Sequence, residues 1–348
     1  MVEYMGREWG RDELAQYVGH MRQIAGIKAL EHTDGTARGS RLLQVYTGSG
    51  LSFEVLPDRA LDISHVTFKG MSLSWQSSAG NVHPAYYEAD GLGWLRSFPG
   101  GLMTTCGMDT FGAPSEDGGE AFGIHGRVGN IPAEQVSYFD QVIERPGDES
   151  LHPISINGLV RQSRLFGENL VLKRVISTGI GSNTIMVNDV VVNDGFAPQP
   201  HMMLYHCNLG FPLLSEHATL EIDSEETVPR DAEAEKGVDS WMQFQKPTPG
   251  YAEQVFRHKV RPYAKRMAQA TLRNEQIGLA LTIRYSHETL PHLFQWKQMG
   301  QGAYVLGIEP ANSSAVEGRA TARERDDLPM LEPGESRQYS LVFEVEEL

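Results

Sequence analysis

Val171-Leu172-Lys173-Arg174-Val175-Ile176-Ser177-Thr178 and Thr184-Ile185-Met186-Val187-Asn188-Asp189-Val190-Val191-Val192-Asn193 flank the short connection Gly179-Ile180-Gly181-Ser182-Asn183. Two strand-like runs joined by a short glycine-containing turn read as an antiparallel hairpin. The arrangement recurs. Residues 270–273 and 279–284 surround a turn at 274–278, and Val66-Thr67-Phe68 and Met71-Ser72-Leu73 flank Lys69-Gly70, a tight hairpin turn. Leu51, Phe53 and Val55 alternate with Ser52 and Glu54, and residues 337–346 alternate again.

The clearest helical signal lies in residues 10–30, where Leu14, Tyr17 and Val18 share one helical face behind Asp12 and Glu13. Strands with few helical windows between them predict an all-β antiparallel sandwich or barrel rather than βα units. Residues 91–130 interrupt the rhythm with a dense run of glycines between Gly91 and Gly129. Long ordered excursions of this kind are often functional. Residues 216–239 hold nine acids against two bases, which composition alone reads as a solvated loop.

The 348 residues carry 30 Lys+Arg against 45 Asp+Glu, a formal charge of −15. This balance argues against a nucleic-acid partner, which needs a concentrated basic surface. No apolar run is long enough to span a bilayer, and the N-terminus lacks the apolar stretch of a secretory signal. Two cysteines, Cys106 and Cys207, could pair, but so low a count suits a reducing compartment, and the expected location is cytoplasmic. Length alone suggests roughly two domains. With no linker and no repeat, one large β domain after a short helical extension is the economical reading.

Nucleotide-binding glycine fingerprints and the Gly-x-Ser-x-Gly elbow are absent. His287-Glu288-Thr289-Leu290-Pro291-His292 has one residue too many for a zinc helix, and His201 and His206 fall on opposite strand faces. No metal site is expected.

Three stretches could carry chemistry. Gly123-Ile124-His125-Gly126-Arg127 offers donors beside a glycine that lets backbone approach a ligand. In Pro200-His201-Met202-Met203-Leu204-Tyr205-His206-Cys207-Asn208-Leu209-Gly210, period two puts Met202, Leu204, His206 and Asn208 on one face. Tyr304-Val305-Leu306-Gly307-Ile308-Glu309-Pro310 ends an apolar strand in a carboxylate, whose desolvation would suit it to general-base work.

In this order the three stretches resemble the aldose 1-epimerase (galactose mutarotase) superfamily. The likeness is closest to a bacterial mutarotase-like branch named as a domain of unknown function, whose further signatures resemble Leu56-Pro57-Asp58-Arg59-Ala60-Leu61-Asp62-Ile63 and Trp296-Lys297-Gln298-Met299-Gly300. It spans about residues 40–345. It implies a galactose mutarotase-like β supersandwich, read as residues 39–348 after a partly helical extension at 1–38. It also implies interconversion of sugar anomers by acid/base ring opening, without a cofactor. Glu309 would be the base and His206 the acid, and the two are expected to face each other across one cleft although 103 positions apart. His125, Arg59, Arg127, Asn208, Trp296 and Lys297 would contact a small-molecule carbohydrate. Arg127 stands where the family commonly has Gly, and with Arg59 and Lys297 it suggests an acidic or otherwise modified sugar. A non-catalytic carbohydrate-binding protein, or another sugar isomerase or lyase on the same scaffold, is the alternative. A homo-oligomer is compatible with the sequence but not read from it.

Overall fold

The computed structural model describes residues 2–140, 153–264 and 266–348. Its backbone is an eight-stranded antiparallel sheet built around the long hairpin, in which Asn169–Gly179 pairs with Thr184–Asn193. The C-terminal strand Ser336–Glu347 lies between Thr184–Asn193 and Leu279–Ser286, so the end of the chain is central to the sheet. Alternation does what the pattern predicts: Leu172, Ile176, Val187, Val191, Leu341 and Phe343 face the core, while Lys173 and Val175 face out. A five-stranded sheet, Gly26–Glu31 through Met71–Ser72, joins the same core, with Lys69 and Gly70 both at positive φ in its tight turn.

The third sheet has six strands, here β1 (Thr104–Gly107), β2 (Met203–Gly210), β3 (Ser224–Pro229), β4 (Gln254–Val260), β5 (His292–Met299) and β6 (Tyr304–Ala311). Their order is β3-β4-β5-β6-β2-β1, every neighbour antiparallel. Met203, Tyr205, Cys207 and Leu209 turn to the main core, as do Leu306 and Ile308. Leu204, with Phe294, Val255 and Ala311, faces the other way and packs beneath Trp94 and Phe98 of the glycine-rich segment. That segment is mostly irregular, contributes β1, and covers the front of this sheet.

The N-terminal region departs from the expected helix. Only Arg11–Ala15 is α-helical, Met21–Gln23 is a 3-10 turn, and Gly26–Glu31 is a strand paired with Arg41–Tyr46. Leu14 is buried, but Tyr17 is 70% exposed. Val18, Gly19 and Ile24 favour helix poorly, and pairing to the sheet satisfies the backbone from Gly26 onward.

One ionic cluster lies between the sheets. Arg174 points inward from the hairpin and is wholly buried, so its charge must be met there. Its Nε and Nη2 donate to Asp189 at 2.9 and 2.6 Å, and its Nη1 donates to Asp62 and to the Ala60 carbonyl at 3.0 and 2.9 Å. Asp62 also accepts from Thr105 N at 3.0 Å and Thr105 Oγ1 at 2.5 Å, and Asp189 accepts from the Tyr205 hydroxyl at 2.7 Å. The three larger sheets are thereby tied at one point. Arg174→Met leaves two buried carboxylates short of their cation and should cost about 3–5 kcal/mol in urea unfolding. A loss below about 1 kcal/mol, the size of an exposed pair, would show that the cluster does not hold the sheets.

Candidate active site

The register of β2 against β6, with Leu204 opposite Ala311 and Cys207 opposite Ile308, puts His206 directly across from Glu309. Cross-strand partners share a face. The two side chains therefore stand side by side on the front of one sheet rather than on opposite walls of a cleft. His206 Nε2 approaches Glu309 Oε1 to 3.3 Å, without the alignment of a hydrogen bond. Gly307 makes the room: a Cβ there would sit 2.4 Å from Glu309 Oε1 and 2.9 Å from Trp296 Cβ.

Rings surround the pair. Trp296 on β5 meets His206 edge-on at 5.4 Å, and Phe98, stacked on Trp94 at 4.3 Å, lies 5.2 Å from it. His125 comes from the glycine-rich loop, 4.8 Å from Trp94 and 5.5 Å from His206. Its φ of +60° is costly for a side chain of this size. The backbone imposes it: His125 N donates to Gly112 O, and His125 O accepts from Gly107 N. Next to it, a Cβ on Gly126 would lie 2.5 Å from Gly107 O, so the loop is pressed against β1.

These groups line a cavity of about 380 Å³, in the size range of small-molecule sites. Arg230 and Glu253 close one edge. Glu253 accepts from Trp296 Nε1 at 2.8 Å and from Arg230 Nη2 at 3.1 Å. His206 Nδ1, His125 Nδ1 and Glu309 Oε1 are buried without a hydrogen-bond partner in the protein. Buried polar atoms are nearly always paired, so three orphans on side chains that line one cavity set this place apart from the rest of the interior.

Burial sets the protonation states. It pushes Glu309 up from 4.5 to about 8, helped by the charge of Glu253 and opposed by Arg230. It holds His206 well below 6.5, assisted by His125 and opposed by Asn208, and brings His125 down to about 4. At neutral pH the glutamate keeps its proton and both imidazoles are neutral.

Of the residues singled out in the sequence, His125, His206, Trp296 and Glu309 line this cavity; Arg59, Arg127, Asn208 and Lys297 do not. Arg59 is buried in a turn, its Nη1 donating to Val82 O at 2.9 Å. Arg127 pairs with Glu168 and lines a separate cavity of about 230 Å³. Asn208 lies on the His206 face but is wholly buried, its amide donating to Gly101 O and His206 O. Lys297 turns to the core face, donating to Ser240 O at 3.0 Å, with burial pushing it down to about 8. Asp58 and Asp62, the acids nearest Arg59 in sequence, pair instead with Arg41 and Arg174. Trp94, Phe98, Arg230 and Glu253 belong to the site without having been singled out. Trp94 and Phe98 are visible as aromatics in the glycine-rich stretch, whereas the Arg230–Glu253 pair is created by folding alone. Cys106 and Cys207 are free and buried, and among the described residues no cluster of His, Cys, Asp or Glu could hold a metal ion. No helix among them is long and apolar enough to cross a membrane.

A family profile described as domain of unknown function DUF4432 matches residues 37–345. The chain belongs to that family. Among solved structures, a "putative aldose 1-epimerase" from Klebsiella pneumoniae is 27% identical, with a TM-score of 0.84 over 92% of this chain and 83% of that one. A galactose mutarotase-like protein from Clostridium acetobutylicum is 13% identical, with a TM-score of 0.64 over 94% of this chain and 100% of that one. The galactose 1-epimerase from Lactobacillus acidophilus is 13% identical, with a TM-score of 0.57 over 93% of this chain and 99% of that one. No curated protein matches the sequence. The fold is galactose mutarotase-like.

The proton on Glu309 has a consequence for stability. Between about pH 4.5 and 8 the folded protein keeps a proton that the unfolded chain releases, so this residue makes stability fall as pH rises. Glu309→Gln cannot ionise and should gain on wild type by a few kcal/mol, in order of magnitude, between about pH 5 and pH 8.5. Urea unfolding at both pH values measures this; an unchanged difference would mean that Glu309 ionises normally.

Proposed function

We propose that the protein is an aldose 1-epimerase-like enzyme that interconverts sugar anomers. The observation that carries this reading is the adjacent Glu309–His206 pair, with its unpartnered atoms, in an aromatic-walled cavity. The hydroxyl oxygen and the ring oxygen of a cyclic sugar are both bonded to the anomeric carbon. An acid and a base side by side on one sheet face suit two oxygens so placed.

The resting pair holds one proton, on Glu309. Its transfer to His206 over 3.3 Å gives the working form, carboxylate and imidazolium. Glu309 then takes the proton of the anomeric hydroxyl as the bond from C1 to the ring oxygen breaks, and His206 protonates that oxygen. The products are the open-chain aldehyde, protonated Glu309 and neutral His206. Rotation about the bond next to C1 and the reverse transfers close the ring on the other face. His125, beside His206, is placed to hold the ring-oxygen side, and the rings of Trp94, Phe98 and Trp296 give the sugar's C–H surface an apolar wall.

An uncharged sugar fits better than an acidic one. Arg59, Arg127 and Lys297 lie elsewhere, and Arg230, the cation at the cavity edge, is paired with Asp231 and Glu253.

NMR measurement of anomeric exchange across a panel of neutral, acidic and phosphorylated sugars tests the activity. Exchange of none, with binding of one, would favour the carbohydrate-binding alternative. With the sugar found, Glu309→Gln and His206→Asn should each lower turnover by ~100-fold or more. Wild-type rates in both would reduce the pair to a structural feature. The pH profile is a separate check: kcat/KM should be level near neutrality and decline above about 8, where the pair loses its last proton. A rate still climbing beyond that pH would contradict the shared proton.

A further inference from the structure

The walls of the cavity differ in a way the acid/base chemistry does not require. His125, His206 and Glu309 form its polar floor, and Arg230 with Glu253 forms one edge. The rings of Trp94, Phe98 and Trp296 form another part of the lining, and on the remaining side stand Leu92, Leu95, Pro114, Ile124 and Val316, none of which can hydrogen-bond through its side chain. Glu317, also on the rim, accepts from Arg325 at 2.9 and 3.2 Å. Two backbone groups on this side are engaged as well: Gly112 O accepts from His125 N, and Ala113 N donates to Val316 O.

The apolar wall continues to the surface. The turn Gly93–Arg96 buries Trp94 yet leaves Leu92 58% and Leu95 50% exposed at the mouth. Large apolar side chains clustered around the mouth of a polar-floored cavity mark a surface for a ligand that is itself partly apolar. A fully hydroxylated hexose would bring a hydroxyl against this wall and strip it of water with no partner in return.

We infer that the cavity selects a hydroxyl-poor sugar, a 6-deoxyhexose or a hexose with a small apolar group in place of a free hydroxyl, over the parent hexose. This rests on the reading of the cavity as a sugar site. The anomeric end lies on the His206–Glu309 floor, and the deoxy or substituted end lies against Ile124, Val316 and the rim leucines.

Matched pairs test it: D-fucose with D-galactose, 6-deoxy-D-glucose with D-glucose, L-rhamnose with L-mannose, and 6-O-methyl-D-glucose with D-glucose. Both anomeric exchange by NMR and binding by quenching of tryptophan fluorescence are read for each pair. In at least one pair the hydroxyl-poor member should be favoured by about 10–100-fold, as expected for a hydroxyl placed on an apolar surface. The 6-deoxy pairs and the 6-O-methyl pair tell the two forms of the ligand apart. Val316→Thr, which adds a hydroxyl at nearly constant volume, and Leu95→Ser, at an exposed rim position, should each shrink that preference severalfold. Equal or stronger binding of the parent sugar in every pair overturns the inference, as does binding of no member of any pair. Preferential binding of the hydroxyl-poor member without exchange would uphold it while removing the epimerase activity, so the two failures are distinguishable.

Discussion

Arg174 carries a full charge into the middle of the sandwich, and its partners set the positions of the strands that hold the site. Asp189 meets it from the next strand of the hairpin and Asp62 from the five-stranded sheet. The same two carboxylates take Tyr205 and Thr105, the residues next to His206 and to its cross-strand neighbour Thr104. Because side chains alternate along a strand, gripping Tyr205 and Thr105 from behind fixes what β2 and β1 present in front. Arg59 lies within electrostatic reach of Asp62, so its buried charge helps balance the cluster's second carboxylate. Such a cluster adds little net stability over apolar packing, but removing one member is costly.

On the front of the sheet the problem is the reverse: ionisable groups are taken from water and deliberately not paired. The rings of Phe98, Trp94 and Trp296 desolvate His206 and Glu309, moving one down and the other up. Each shift disfavours charge, and the outcome is a neutral pair holding one proton. A neutral pair is tolerable in an apolar cavity, where separated charges would be expensive without a ligand. The cover depends on the glycine-rich segment, which turns sharply enough to bring Trp94, Phe98 and His125 over β2.

The strands were the legible part of the sequence, because period two is a local property. It placed Leu204, His206 and Asn208 on one face and Tyr205, Cys207 and Leu209 on the other, as the structure has them. The same rule bears on Lys297: an alternation that sends Trp296 into the cavity must turn Lys297 to the core. Arg59 and Arg127 sit in turns, where no periodicity gives a direction. The helix expected within residues 10–30 shrank because weak local propensity gave way to sheet pairing. The adjacency of His206 and Glu309 depends on register between strands 103 positions apart, and Arg230 and Glu253 meet only in the folded chain. Such facts lie in tertiary structure, so a resemblance to known motifs could suggest the first but not the second.

The proposed chemistry turns on a desolvated pair that is neutral and holds a single proton at physiological pH. A ¹³C NMR titration of the Glu309 side-chain carboxyl, assigned by its loss in Glu309→Gln, reads this without any substrate. The expected midpoint is about 8, with the carboxyl still protonated at neutrality. A midpoint near 4.5, the ordinary glutamate value, would contradict it.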